Sequence, residues 1–354
     1  MSVGAHSSSK SGGCFRWGAM ALGALALLVT VVLAIVGFMG WRAKGALRAQ
    51  YPPPGQMVDV GGYQMHIDCQ GSGSPTVVLV PGAGDFSLTW SQVQPEVART
   101  ARVCAYDFGG FGWSELGPKP PTMENILAEL HSLLTNAGVE GPYVLVGHSL
   151  GGMYVRAYAV RYPEEVVGMV LVDSTHEDQM ARYYAAVASH GDEGGDPGAT
   201  DQINLLVYQV MLRSFEGLNS LGILAMNPES FPANVPDLPE VAKEYKAVML
   251  SHDSFFAAIR QQGDYMEENE AAVQEMHITS LGDIPLVVLS SRKVAAQPGL
   301  SAEETAELKT ELHTELAALS SRGELVFAEE SSHLIQWDQP GLVIEAINQV
   351  LDEQ

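Results

Sequence analysis

Val144-Leu145-Val146-Gly147-His148-Ser149-Leu150-Gly151-Gly152 decides the fold. An apolar, β-prone run enters Gly-x-Ser-x-Gly, and a helix-compatible segment leaves it, the pattern of a nucleophile elbow. A serine on a strained strand-to-helix turn holds its hydroxyl clear of the sheet. Side chains at the flanking positions would collide with neighbouring backbone, so Gly147 and Gly151 are required there. The helix that follows points its amino end at the site, where it favours developing negative charge. A Gly-rich turn with an incidental serine is the bland alternative, and the strand before it and Gly152 after it argue against that.

Outward from the elbow, apolar runs alternate with helical patterns. Gln56–Val60 and Tyr63–Cys69 read as short strands around Gly61-Gly62, a hairpin signal. Thr76–Val80, Arg102–Tyr106, Tyr143–Val146, Val166–Val172, Pro285–Leu289 and Leu325–Ala328 read as further strands. Helices are expected over Leu88–Ala101, Met123–Ala137 and Ala302–Ser321, and from Pro340 onward. Such alternation predicts an α/β, doubly wound, mostly parallel eight-stranded sheet. Between Asp173 and Pro285 no strand pattern appears, over a length no simple loop needs. This segment predicts a helical lid inserted between two sheet strands, with a mobile loop at Gly191–Gly198.

The chain has 354 residues, 46% of them hydrophobic, and a formal charge of −23. No Asp or Glu precedes Asp59, whereas Lys10, Arg16, Arg42, Lys44 and Arg48 do. The acidic body excludes nonspecific nucleic-acid or anionic-lipid binding. Gly18–Gly40 carries no charge and is flanked by Trp17 and Trp41. Roughly 20 apolar residues span a bilayer as a helix, and interfacial aromatics mark such ends. A signal peptide has a shorter apolar core, about 7–15 residues. The expected organisation is a tail over 1–17, a transmembrane helix over 18–40, a linker over 41–55, a core over 56–174 and 283–354, and the lid over 175–282.

These motifs, in order, make the chain resemble the α/β-hydrolase superfamily. They are Pro81-Gly82-Ala83-Gly84 after the third strand, Asp107–Ser114 after the fourth, the elbow at Ser149, and Ser332-His333 before the last helix. One departure is Pro81-Gly82 where many members have His-Gly. The resemblance implies hydrolysis of a carboxylic ester through a Ser-His-Asp triad and an acyl-enzyme. Ser149 is the nucleophile and His333 the base, since a serine hydroxyl needs an adjacent base. The usual acid position after the seventh strand holds Ser290-Ser291-Arg292-Lys293, with no carboxylate until Glu303. The resemblance offers a second acid position at the end of the sixth strand, where Asp173 stands, and Asp173 is preferred over Glu303. The amides of Ala83 and Leu150 are nominated as oxyanion donors. Asp107 is assigned turn formation and no chemistry.

An acyltransferase would use the same triad, and the fold also serves as a non-catalytic ligand receptor. No His/Cys cluster has metal-ligand spacing and no dinucleotide or phosphate loop appears, so neither cofactor nor metal is expected. The lid's Met, Leu, Tyr and Phe predict a largely apolar acyl- or alkyl-binding pocket that the lid forms, and a small-molecule, apolar ester substrate with a medium or long chain. Basic residues flank the apolar helix on both sides, so charge leaves its orientation open. In the family's sheet the strands ending at Cys69 and starting at Cys104 are antiparallel neighbours. A disulfide there would persist only in an oxidising compartment, so the catalytic body is expected outside the cytoplasm, on a single-pass anchor with its amino end inside; two separate buried thiols are the alternative.

Overall fold

A computed structural model of the chain describes residues 12–189, 197–235 and 238–354. The expected tail therefore lies mostly outside the described residues, as does Gly191–Asp196 of the expected mobile loop; Pro197 and Gly198 begin a helix.

The sheet has eight strands: β1 (Gln56–Asp59), β2 (Gln64–Gln70), β3 (Thr76–Val80), β4 (Arg102–Tyr106), β5 (Tyr143–His148), β6 (Val166–Val172), β7 (Leu286–Ser291) and β8 (Gly323–Ala328). Their order is β1-β2-β4-β3-β5-β6-β7-β8. β1 and β2 pair antiparallel, as do β2 and β4; the remaining neighbours are parallel. Parallel strands buried on both faces read as continuous apolar runs, and every residue of β3 is buried. Alternate residues serve opposite cores. Val78, Val80, Leu145, Met169, Leu171 and Val288 face one cluster, while Val77, Leu79, Val144, Val146, Val170 and Leu289 face the other.

In chain order the helices are α1 (Gly12–Gln50), α2 (Gln94–Val97), α3 (Met123–Asn136), α4 (Leu150–Arg161), α5 (Gln179–Ser189), α6 (Pro197–Ser220), α7 (Pro239–Ser251), α8 (Phe255–Asp264), α9 (Met266–Glu275), α10 (Ala302–Ala317), α11 (Ile335–Asp338) and α12 (Pro340–Asp352). α3 buries Ile126, Leu127, Leu130, Leu133 and Leu134 with α4 in the first cluster; α2 and α12 fill the second with Val97, Val343, Ile347 and Val350. A fully buried aliphatic side chain of this kind contributes roughly 1.5–3 kcal/mol. The helix expected over Leu88–Ala101 is instead a 3-10 turn, Ser87–Trp90, followed by α2. Pro95 explains the break, because its ring and missing N–H suit a first helical turn and not an interior.

α1 is long and apolar enough to cross a membrane, and its apolar side chains from Trp17 to Trp41 stand largely exposed. It does not stop at Gly40. Residues 41–50 of the expected linker are helical, because Ala, Arg, Lys and Leu there are good helix formers, and Pro52 ends the run. That extension is docked on the segment after β6. A methyl on Gly40 would meet the Leu221 carbonyl oxygen, buried Lys44 pairs with Asp253, and Arg48 Nε donates to the Ser251 carbonyl at 3.1 Å.

Candidate active site

The chain leaves β3 toward β4 on one side and returns to β5 on the other, so strand order reverses between β3 and β5. Crevices at such reversals, beyond the carboxyl ends of the strands, are where open α/β sheets bind ligands. Both the Pro81–Gly84 turn and the elbow open there.

Ser149 has φ 51° and ψ −121°, a strained conformation between β5 and α4. The glycines explain how it is tolerated. A methyl on Gly147 would lie 2.6 Å from the Gly151 carbonyl oxygen and the Gly152 Cα; one on Gly151 would strike the Pro81 carbonyl oxygen. Gly152 abuts Ser174, whose hydroxyl oxygen such a methyl would strike. The Ser149 N–H donates to the Val172 carbonyl at 3.0 Å, which fixes the elbow against the end of β6. Asp173 follows at once, also at positive φ (45°).

Asp173 is buried and surrounded by donors. Oδ1 accepts from the Ser291 N–H at 2.8 Å; Oδ2 accepts from Ser291 Oγ at 3.1 Å and stands 2.7 Å from His333 Nδ1. Lys309 Nζ, from α10, lies 2.6 Å from Oδ1 and 2.7 Å from Oδ2. Burial alone would push this carboxyl up. The hydrogen bond from His333 and the charge of Lys309 prevail and hold it well below the ordinary carboxylate range. Donation by His333 Nδ1 leaves Nε2 of the neutral ring as a base.

Ser149, Asp173 and His333 line one cavity of about 580 Å³. Glu303 is exposed in the first turn of α10. Ala83 is exposed in the turn after β3, and Leu150 is buried as the first residue of α4. That turn touches the elbow: a methyl on Gly82 would stand 3.2 Å from Ser149 Cβ. Asp107 accepts from the N–H groups of Ser87 and Trp113 at 2.8 and 2.9 Å, tying together the loops after β3 and β4.

Several contacts around this site are made between segments distant in the sequence. The His148 ring lies 4.7 Å, centroid to centroid, from that of His333, and its Nε2 is 3.0 Å from the His333 carbonyl, so it holds the backbone of that residue. Burial, and next the neighbouring His333, push His148 down to about 3, so it is neutral and can donate. Ser291 and Lys309 complete the surroundings of Asp173. The turn holding Ala83 is pinned by the lid: the Gly84 N–H donates to Gln262 Oε1 at 2.8 Å, and Tyr245 OH donates to buried Asp85 at 2.6 Å.

The cavity differs from the expectation of a lid-built apolar pocket. Its walls come from Thr175, Met180 and Tyr183, from 293–298 after β7, and from Leu308, Lys309 and Leu312 of α10. Among the described residues, none between 197 and 282 lines it. Those helices spend their aromatics on the core instead: Tyr245 stacks on Phe86 and Phe255 packs edge-on against Phe111.

The comparisons agree with the fold. Residues 75–193 match a family described as alpha/beta hydrolase fold. An uncharacterized protein of Schizosaccharomyces pombe is 33% identical over 160 residues, covering 37% of this chain and 29% of that protein. An AB hydrolase superfamily protein of Gibberella zeae is 24% identical over 300 residues, covering 78% of this chain and 86% of that one. The chain spans half or less of the length of the first curated relatives it matches. The solved structure of Est816, described as an N-acyl homoserine lactone degrading enzyme, superposes with a TM-score of 0.58 at 17% identity, covering 83% of this chain and 99% of that one; this likeness is one of fold.

Proposed function

Because this chain belongs to the α/β-hydrolase superfamily, we propose that it is a serine hydrolase cleaving a carboxylic ester through Ser149, His333 and Asp173. The observation that carries the reading is the strained Ser149 opening into the same cavity as a His333–Asp173 pair at 2.7 Å. In the proposed reaction Ser149 Oγ attacks the ester carbonyl while His333 Nε2 takes its proton. The Leu150 and Ala83 amides receive the oxyanion, aided by the amino end of α4. Collapse expels the alcohol, which takes the proton from His333, and leaves an acyl-enzyme. Water, deprotonated by the same nitrogen, then releases the acid and restores Ser149.

A serine nucleophile favours acyl chemistry, and a lactone of the kind named for Est816 is itself a cyclic ester. The exposed apolar stretch of α1 supports a single-pass membrane anchor. Cys69 and Cys104, directly paired across β2 and β4 and joined as a disulfide, support an oxidising compartment for the body. The test is covalent labelling of the full-length protein by a fluorophosphonate probe, with Ser149→Ala as control. Labelling that depends on Ser149 and is blocked by an aryl ester supports the reading. Absence of labelling in a folded protein would assign the fold a binding role instead.

A further inference from the structure

Besides His333, the proposed triad acid meets the ammonium group of Lys309. Lys309 reaches both oxygens of Asp173 and also lies 2.5 Å from Ser291 Oγ, while its own side chain is only 20% exposed. A capping box, Ser301 with Glu304, fixes the start of α10, and α10 packs on β7, so the lysine enters the site from a rigid element. Nothing in an ester hydrolase requires a lysine there, and a carboxylate shared by two cations gives less of its charge to each.

We propose that Lys309 is a positioning residue: it clamps the Asp173 carboxylate against Ser291 and competes with His333 for its charge, so that the protonated base is held less firmly. This rests on the serine-hydrolase reading above. Geometry supports the clamp, because Asp173 comes from β6, not from the strand end whose Ser291 it meets; three donors from β7 and α10 aim the carboxylate across to His333. The titratable groups facing Asp173 are His333, Lys309, His313 and His148. Burial pushes His313 to about 4 and His148 to about 3, so both are neutral near pH 7. Lys309 is then the cation that offsets the carboxylate. The consequence follows from Coulomb's law: removing it leaves the full charge of Asp173 to stabilise the imidazolium, and the base becomes competent only at higher pH.

The experiment is a pH profile of kcat/KM on an aryl ester, with full-length wild type, Lys309→Gln and Lys309→Met in one detergent. The rate of fluorophosphonate labelling across the same pH range gives a second readout confined to folded, competent molecules. Both substitutions are expected to move the acid limb up by roughly one pH unit or more, a tenfold loss on the acid side, while the plateau changes less. A plateau that drops with the limb in place would make Lys309 a packing residue and overturn the proposal, as would an unchanged profile. An unreactive wild type would fail the hydrolase reading itself, a result distinct from either and equally fatal here.

Discussion

Asp173 and His333, 160 residues apart in the chain, meet with 2.7 Å between Oδ2 and Nδ1. The bond joins the end of β6 to the loop before α11 and aims the imidazole into the cavity that Ser149 also lines. If this geometry is the reactive one, neither partner of the serine is dispensable. Ser149→Ala and His333→Ala should each lower turnover of an aryl ester by roughly three or more orders of magnitude. Combining them should cost little more, because the groups act as a unit. Steady-state kinetics on the three variants checks this, and wild-type-like turnover in either single variant would remove the assignment.

The choice of acid can be tested separately. Asp173→Asn keeps the shape but loses the charge and the tautomer control, and should cost several orders of magnitude in kcat. Glu303, exposed at the start of α10, should tolerate Glu303→Gln with little change. Circular dichroism must show both variants folded. The reverse pattern would place the acid on the other strand.

Much of this site was legible because the chemistry constrains local sequence. An elbow needs small residues where a methyl would strike backbone, which is why Gly147, Ser149 and Gly151 stand out, and a missing carboxylate after β7 directs attention to Asp173. The unread parts are contacts between distant segments. Lys309 looks like any lysine of an acidic, capped helix; only the packing of α10 on β7 brings its ammonium to Asp173. His148 sits inside the motif, yet its contact with the His333 carbonyl depends on a loop 185 residues away. The pocket walls escaped for the same reason, since the aromatics of α7 and α8 pack on the loops after β3 and β4. The charge pattern marks where apolarity stops and not where the helix does, so α1 runs on past Gly40 to Gln50.

The cavity also makes a prediction about substrates. Met180, Val294, Leu308 and Leu312 give it apolar wall on the side of α5 and α10, and its volume of about 580 Å³ exceeds what an acetyl group fills. Esters of medium-chain acids should therefore show higher kcat/KM than acetates, by roughly 1–3 kcal/mol of discrimination for each well-placed methylene at most. A series of p-nitrophenyl esters measures this. Preference for acetate, or for charged acyl groups, would contradict it.

Stability should depend on pH through Asp85. This buried carboxyl accepts from Tyr245 OH at 2.6 Å and is pushed up to about 6, chiefly by burial. Its folded value lies above its unfolded one near 3.8, so between the two the native state binds the proton more tightly. The native state is accordingly favoured on the acid side and loses that advantage as pH rises toward 6, by about 3 kcal/mol in full. Asp85→Asn keeps an acceptor for Tyr245 without the charge. It should raise the melting temperature at pH 8 and do so less at pH 4.5. An equal shift at both pH values would show that ionisation of Asp85 is not the cause.

The Cys69–Cys104 bridge couples stability to location. The two residues face each other in register across β2 and β4 and close a loop of 35 residues. In the chain-entropy view such a loop contributes on the order of 4 kcal/mol, a large part of the net stability of an ordinary domain. Cys69→Ser with Cys104→Ser should therefore lower the melting temperature of the body by several degrees or more, and reductant should do the same to wild type. The bond persists only where the compartment is oxidising, which would put the catalytic body across the membrane from the cytoplasm. Alkylation of unreduced, denatured protein from its native membrane, followed by mass mapping, checks both points together. Cys69 and Cys104 should escape the label until reductant is added. If both are labelled at once, the bridge does not form in the cell, and an external body loses its strongest physical argument.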